Sequence, residues 1–159
     1  MNTDLNGKER LLSAFICGSI ENMKSVFSIP IRVYYEDTDA GAVVYYANYL
    51  KFMERARTEW LRALGFEQDE LSNRDGVVFA VRSAQVDFLK PARFNDALLA
   101  TVEVSRRGNA SITFHQRIQR GELTLCEGEI KVACLNVSTF TPCPLPERIR
   151  ERLDAGGVR

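Results

Sequence analysis

All five tyrosines of this chain lie between residues 34 and 49, at Tyr34, Tyr35, Tyr45, Tyr46 and Tyr49. Two aspartates, Asp37 and Asp39, stand in the same window, inside the polar run Glu36-Asp37-Thr38-Asp39-Ala40-Gly41-Ala42. A long amphipathic pattern begins directly after it. One reading is structural: a strand end and a helix packed together through aromatic rings. The other is chemical. The first amides of a helix have no intrahelical acceptor, and the helix dipole favours negative charge there. A carboxylate in the preceding turn could then act on a group that develops negative charge at the helix start. The residues alone leave both readings open.

The elements that must position this window follow from periodicity. Residues Val26 to Tyr35 are rich in β-branched and aromatic side chains and read as a strand, with Pro30 marking an edge or a bulge. Tyr49, Phe52, Met53, Ala56, Trp60 and Leu64 recur on one helical face. Lys51, Glu54, Arg55, Arg57, Glu59 and Arg62 fill the other positions and read as a solvated or intersubunit face with i,i+4 pairs. Asn48 is a suitable N-cap, with the first turn free to begin a residue or two earlier, and Gly65 is placed to stop the helix. A short helix is expected from Gln68 to Asn73.

From Val77 the period changes to two, as in half-buried antiparallel strands. Ala84, Val86 and Phe88 form one apolar row, then Leu98, Ala100, Val102 and Val104, then Ile112, Phe114 and Ile118. Turns fall at Lys90-Pro91 to Asp96, at Arg107-Gly108-Asn109 and at Arg120-Gly121-Glu122. In the last strand, from Leu123 to Val137, the alternation slips near Glu127-Gly128-Glu129, which suggests a bulge at Gly128. A proline-rich turn, Thr141 to Pro146, leads to a short C-terminal helix. The result is an α+β arrangement: a five-stranded antiparallel sheet whose face is covered by one long helix. Such a sheet keeps open edges and an uncovered face, which self-association would bury.

Composition narrows the function classes. The chain has 159 residues, enough for one domain. Lys plus Arg number 21 and Asp plus Glu number 21, so the basic excess of a nucleic-acid binder is missing. Four cysteines without a CxxC pair and a single histidine leave no ordinary zinc set, and reduced thiols in a cytoplasmic protein are expected. His115, on the polar side of a strand, reads as a surface or interface residue. The apolar stretch Leu11 to Ile20 is too short for a membrane span of ~20 residues. Ser13, Gly18 and Ser19 interrupt it, so residues 1–25 read as an N-terminal extension, loosely ordered or carrying a short helix, rather than a targeting signal. Met23 is an alternative start. Residues 26–153 form the domain and 154–159 a tail.

The run Arg32-Val33-Tyr34-Tyr35-Glu36-Asp37-Thr38-Asp39, followed by Val43-Val44-Tyr45-Tyr46-Ala47-Asn48-Tyr49-Leu50, resembles the 4-hydroxybenzoyl-CoA thioesterase family of hotdog-fold proteins. The continuation Lys51-Phe52-Met53-Glu54-Arg55-Ala56-Arg57-Thr58-Glu59-Trp60-Leu61 is similar to the branch of acyl-CoA thioesterases associated with the Tol-Pal system of Gram-negative bacteria. The resemblance spans roughly residues 28–140. It implies a hotdog, a curved sheet wrapped around the long helix, and a homodimer or homotetramer with active sites at subunit interfaces. It also implies hydrolysis of acyl-CoA to free acid and coenzyme A, with no cofactor or metal. Asp39 matches the family's catalytic carboxylate, and Tyr46 matches the helix-start residue whose N–H meets the thioester carbonyl.

Two positions depart from the pattern. The branch usually carries histidine where Tyr46 stands, and the family prefers glycine where Ala42 stands. If that site needs positive φ, alanine is strained there by ~1 kcal/mol or more.

The residue types suit the implied chemistry. Donors at a helix start stabilise an oxyanion, one such donor being worth ~10²–10³ in rate. Asp39 could activate water or attack the carbonyl itself. Asp37 reads as a turn-former or as a residue that supports the site from behind. Tyr35 either hydrogen-bonds near the site or packs in the core. Arg106 and Arg107 match a basic pair that holds the nucleotide part of coenzyme A, with a solvated hairpin end as the alternative, while Lys90 and Arg93 are weaker candidates. The competing functional reading is a protein that binds acyl-CoA or acyl carrier protein as a scaffold of the cell-envelope or phospholipid-synthesis machinery, with little turnover. A hotdog dehydratase ranks last, since no histidine lies between residues 31 and 64.

Overall fold

The computed structural model describes residues 26–156. The readings of the N-terminal extension therefore lie outside the described residues. Five antiparallel strands run in the order β1-β3-β4-β5-β2: β1 is Phe27–Arg32, β2 Val77–Phe88, β3 Ala97–Arg107, β4 Ser111–Arg120 and β5 Leu123–Asn136. The long helix α1, Tyr46–Ala63, lies across β3, β1 and β4. A short helix α2, Gln68–Glu70, continues into a π-turn over Leu71–Asp75, and α3 spans Glu147–Ala155. This is the hotdog architecture expected from the sequence. No helix among the described residues is long and apolar enough to cross a membrane.

The helix buries the predicted stripe. Tyr49, Phe52, Met53, Ala56 and Trp60 are buried, and Leu61 joins them. They meet the rows Leu98, Ala100, Val102 and Ile112, Phe114, Ile118, with Trp60 edge-on to Phe114 at 5.1 Å between ring centroids. Leu64 closes α1 and Gly65 follows at φ +89°, the left-handed exit expected of it.

Three local expectations are corrected. Asn48 is not the N-cap: α1 begins at Tyr46, so Asn48 lies inside the first turn, buried, with its side-chain amide donating to the Asp37 carbonyl at 2.9 Å. Gly128 makes no bulge, for it pairs in register with both Val86 and Gln116. A Cβ there would meet the Gln85 carbonyl oxygen at 2.8 Å and the Val86 side chain at 2.9 Å, so the glycine answers a close strand approach. The irregularities fall instead between Val81 and Ser83, Val104 and Arg106, and Ile118 and Gln119.

Third, the charged helix face is not wholly solvated. Arg57 is only 9% exposed and donates to the Gln116 side-chain oxygen at 2.7 Å, with Glu54 pairing to its other amino group. Gln116 is fully buried, and its NH₂ donates to the carbonyls of Met53 and Thr101. Its backbone position falls in the core-facing row between Phe114 and Ile118, so a buried polar knot joins helix and sheet where an apolar contact would otherwise sit. The ion pairs along α1, Glu54–Arg57 and Glu59–Arg62, are spaced i,i+3 rather than i,i+4.

Candidate active site

Strand β1 ends at Arg32, short of the expected Tyr35. The chain is then held by the loop before β3: Val33 N–H donates to the Asp96 carbonyl at 3.0 Å, and Asn95 N–H returns a bond to Val33 at 3.0 Å. A single 3₁₀ turn covers Tyr35–Asp37. Asp37 is buried, and its carboxylate accepts from Tyr34 N–H at 2.8 Å. Its carbonyl accepts from Tyr45 N–H at 2.9 Å as well as from Asn48. Asp37 therefore shapes backbone on both sides of the loop, as its turn-forming reading requires.

Asp39 opens a tight loop. Its N–H donates to the Val43 carbonyl at 3.0 Å, and its carbonyl accepts from Ala42 N–H at 2.9 Å. One carboxylate oxygen accepts from Gly41 N–H at 2.8 Å. Ala42 closes the loop at φ +57°, the left-handed conformation that glycine adopts without strain. The exit is fixed from outside, because Val44 N–H donates to the Ala92 carbonyl and Ala92 N–H donates to the Tyr49 hydroxyl, both at 2.8 Å. Burial raises the Tyr49 phenol above its ordinary pKa, which favours the neutral hydroxyl that accepts this bond.

Helix α1 starts immediately after this loop. Tyr45 provides no side-chain cap. Its own N–H is taken by Asp37 and that of Asn48 by the Tyr45 carbonyl, whereas the amides of Tyr46 and Ala47 meet no acceptor among the described residues. The Tyr46 ring is 59% exposed, between Tyr45 (centroids 4.7 Å apart) and Phe88 at the end of β2 (6.0 Å). The neighbouring Tyr46 hydroxyl pushes the Tyr45 phenol above its ordinary pKa, and the negative charge of Asp39 adds a smaller push in the same direction. The Asp39 carboxylate thus acts on the Tyr45 hydroxyl, one residue before the helix.

A family model described as the thioesterase superfamily matches residues 41–127. The chain belongs to the thioesterase superfamily. It is 44% identical over 124 residues to the acyl-CoA thioesterase YbgC of Haemophilus influenzae, covering 78% of this chain and 91% of the relative. It is 36% identical over 133 residues to the acyl-CoA thioesterase YbgC of Helicobacter pylori, covering 78% and 97%. Among solved structures, a probable thioesterase from Bartonella henselae superposes with a TM-score of 0.74 at 34% identity, covering 77% of this chain and all of that one. The protein is an enzyme, a thioester hydrolase, as the sequence motifs imply.

Within this thioesterase the expected site residues divide by position. Asp39 and Tyr46 share one end of the sheet, with Lys90 and Arg93 in the loop after β2. Tyr35 lies there too, but among the described residues it neither packs in the core nor hydrogen-bonds through its hydroxyl. It is 80% exposed, its ring 6.1 Å from that of Phe94. Arg106 and Arg107 sit at the far end. Arg32 pairs with Ala97 at the start of the eleven-residue strand β3, and at ~3.3 Å per residue the arginines end about 30 Å away from that start. One chain does not bring them to Asp39. Arg107 is also engaged, 2.7 Å from Asp154 on α3, while Arg106 is exposed.

Ala92, Phe88 and Gln116 had no functional reading in the sequence. Gln116 alone left a trace, as a polar residue in the apolar row 112–118. His115 sits half-buried in register with Glu103 and Glu129, remote from Asp39.

Proposed function

We propose that this enzyme hydrolyses acyl-CoA thioesters to the free acid and coenzyme A, with Asp39 as the reacting carboxylate and the Tyr46 N–H as the oxyanion donor. The observation that carries the reading is the pair of unclaimed amides at the start of α1, one loop away from an exposed carboxylate. A thioester carbonyl seated between them would develop its negative charge against the amides. Asp39 would meet the acyl carbon directly or through a water, and either route delivers the same products. Tyr46 in place of histidine leaves this mechanism intact because the donor is backbone. The names of the relatives support acyl-CoA as the substrate class.

The reading includes a second copy of the chain. The twelve-residue strand β2 ends the sheet, with Val81 and Phe88 exposed along it and Leu89 exposed just past its end. Pairing at this edge, as a dimer within a tetramer, would cover those side chains and let Arg106 of a neighbouring copy approach coenzyme A phosphates. Cytoplasmic residence, a Tol-Pal association, acyl carrier protein as a partner and a domain spanning 26–153 belong to the same reading.

The test is thiol release from short-chain, long-chain and aromatic acyl-CoA by the wild-type and Asp39→Asn proteins. A loss of ~10²–10⁴ in kcat is expected on substitution. An Asp39→Asn protein with the parental rate refutes the assignment. Coenzyme A binding by calorimetry without hydrolysis of any substrate would favour the scaffold reading.

A further inference from the structure

We propose that Cys134 and Cys143 form a reversible intramolecular disulfide, a thiol-modification site separate from the hydrolytic centre. Cys134 lies on β5 and Cys143 on the returning segment that leads to α3. Their sulfurs are 3.8 Å apart, and the two backbones are already laddered: Cys143 N–H donates to the Cys134 carbonyl at 3.0 Å, and Asn136 N–H to the Thr141 carbonyl at 2.9 Å. The bridged residues are Leu135 and Pro142, so Cys134 and Cys143 stand opposite one another one step along that ladder, where Cα atoms lie ~4.5–5.5 Å apart, inside the ~4.4–6.8 Å window of a disulfide. Bonding asks the sulfurs to close from 3.8 Å to about 2 Å.

The two thiols differ in a way that orders the reaction. Cys134 is fully buried, and burial together with the neighbouring Cys143 thiol pushes its pKa up to about 12. Cys143 is half-buried and meets solvent first. With a small disulfide RSSR of the glutathione type as oxidant, the Cys143 thiolate bonds to one sulfur and releases RS⁻. Cys134 then gives up its proton to a thiolate, attacks Cys143 Sγ and displaces the second RS⁻. Two protein thiols are oxidised and one RSSR is reduced to two RSH. Cys126, buried with its pKa pushed to about 12, takes no part.

The segment enclosed by the pair is one that profits from a tie. Phe140 sits at φ +56°, and the turn is held by the Asn136 side chain accepting from the amides of Ser138 and Thr139. Beyond Cys143, Leu145 is buried and donates to the Asn109 carbonyl at 2.9 Å, seating α3 against the sheet end. Closing this short loop covalently is expected to raise Tm by roughly 5–10 °C.

The full chain is incubated with oxidised glutathione under native conditions, alkylated in denaturant and digested with trypsin. Both thiols fall in the single peptide 132–148. The expected product is that peptide with two hydrogens lost and no alkyl groups, restored by reductant, with Cys126 alkylated. Thioesterase turnover stays within about twofold, because the pair lies at the sheet end away from Asp39. Cys134→Ala should instead accumulate one glutathione on Cys143. Wild-type peptide carrying two alkyl groups, or a persistent glutathione adduct on Cys143, overturns the proposal.

Discussion

Ala42→Gly should make this protein more stable, although it removes a methyl group and adds a glycine. Ala42 is exposed at φ +57°, so its Cβ contributes little packing and crowds the following carbonyl. An L-residue held in that conformation carries about 1–2 kcal/mol of strain that glycine does not. Glycine in turn makes the unfolded chain more flexible, at a cost of about 0.4–1 kcal/mol. The difference is a net stabilisation of about 0.5–1 kcal/mol, and the N–H donated to Asp39 is retained in the variant. For a chain of this size that is a rise of about 1–4 °C in Tm. Urea unfolding is the sharper assay: the midpoint should move up while the slope m stays constant. Ala42→Val supplies the opposite arm, since a β-branched residue fits this region worst and should lose at least 1 kcal/mol. A destabilised Ala42→Gly protein, or an Ala42→Val protein equal to wild type, would refute the strain argument.

Three other substitutions probe the frame around the site. Gln116→Leu strands the buried Arg57 amino group and two carbonyls at once, and a loss of about 3 kcal/mol or more in urea unfolding is expected; a loss below 1 kcal/mol would mean the knot is not a stabilising element. Gly128→Ala drives a methyl against the Gln85 carbonyl, with an expected loss of about 1–3 kcal/mol, and an unchanged urea midpoint would contradict the close approach. Burial works against the Asp96 carboxylate, but the Arg93 amide and the Arg120 guanidinium outweigh it and hold its pKa below the ordinary value. A depressed folded-state pKa contributes stability that is full above about pH 4 and is lost as pH falls through the folded value. Asp96→Asn should therefore be less stable than wild type at neutral pH, and the gap should close in strong acid; a gap independent of pH would show that the charge is not responsible.

The elements were legible because their signals are local and periodic. The helix stripe from Tyr49 to Trp60 and the alternating rows of β3 and β4 were each written within one segment. What escaped depends on residues far apart in the sequence. Nothing in residues 46–63 says that Arg57 turns inward, because its acceptor is 59 residues away. Gly128 looked like a bulge for the same reason: the constraint on it is the Gln85 carbonyl of another strand. The reading of the Asp39–Tyr46 segment as a site rests on its resemblance to a known family, whereas composition left packing and chemistry equally open. The position of Arg106 and Arg107 could not be read from their motif, because only the direction of β3 places them at the other end of the sheet.

Ala92 has a consequence for protein engineering. Its two backbone groups fasten the exit of the Asp39 loop and the first turn of α1 to the connection between β2 and β3. A graft of residues 37–49 into another scaffold would arrive without its anchor and relax. A transplant meant to keep the geometry has to bring residues 90–96 along with it, so the smallest portable unit is two segments pinned together through a single alanine.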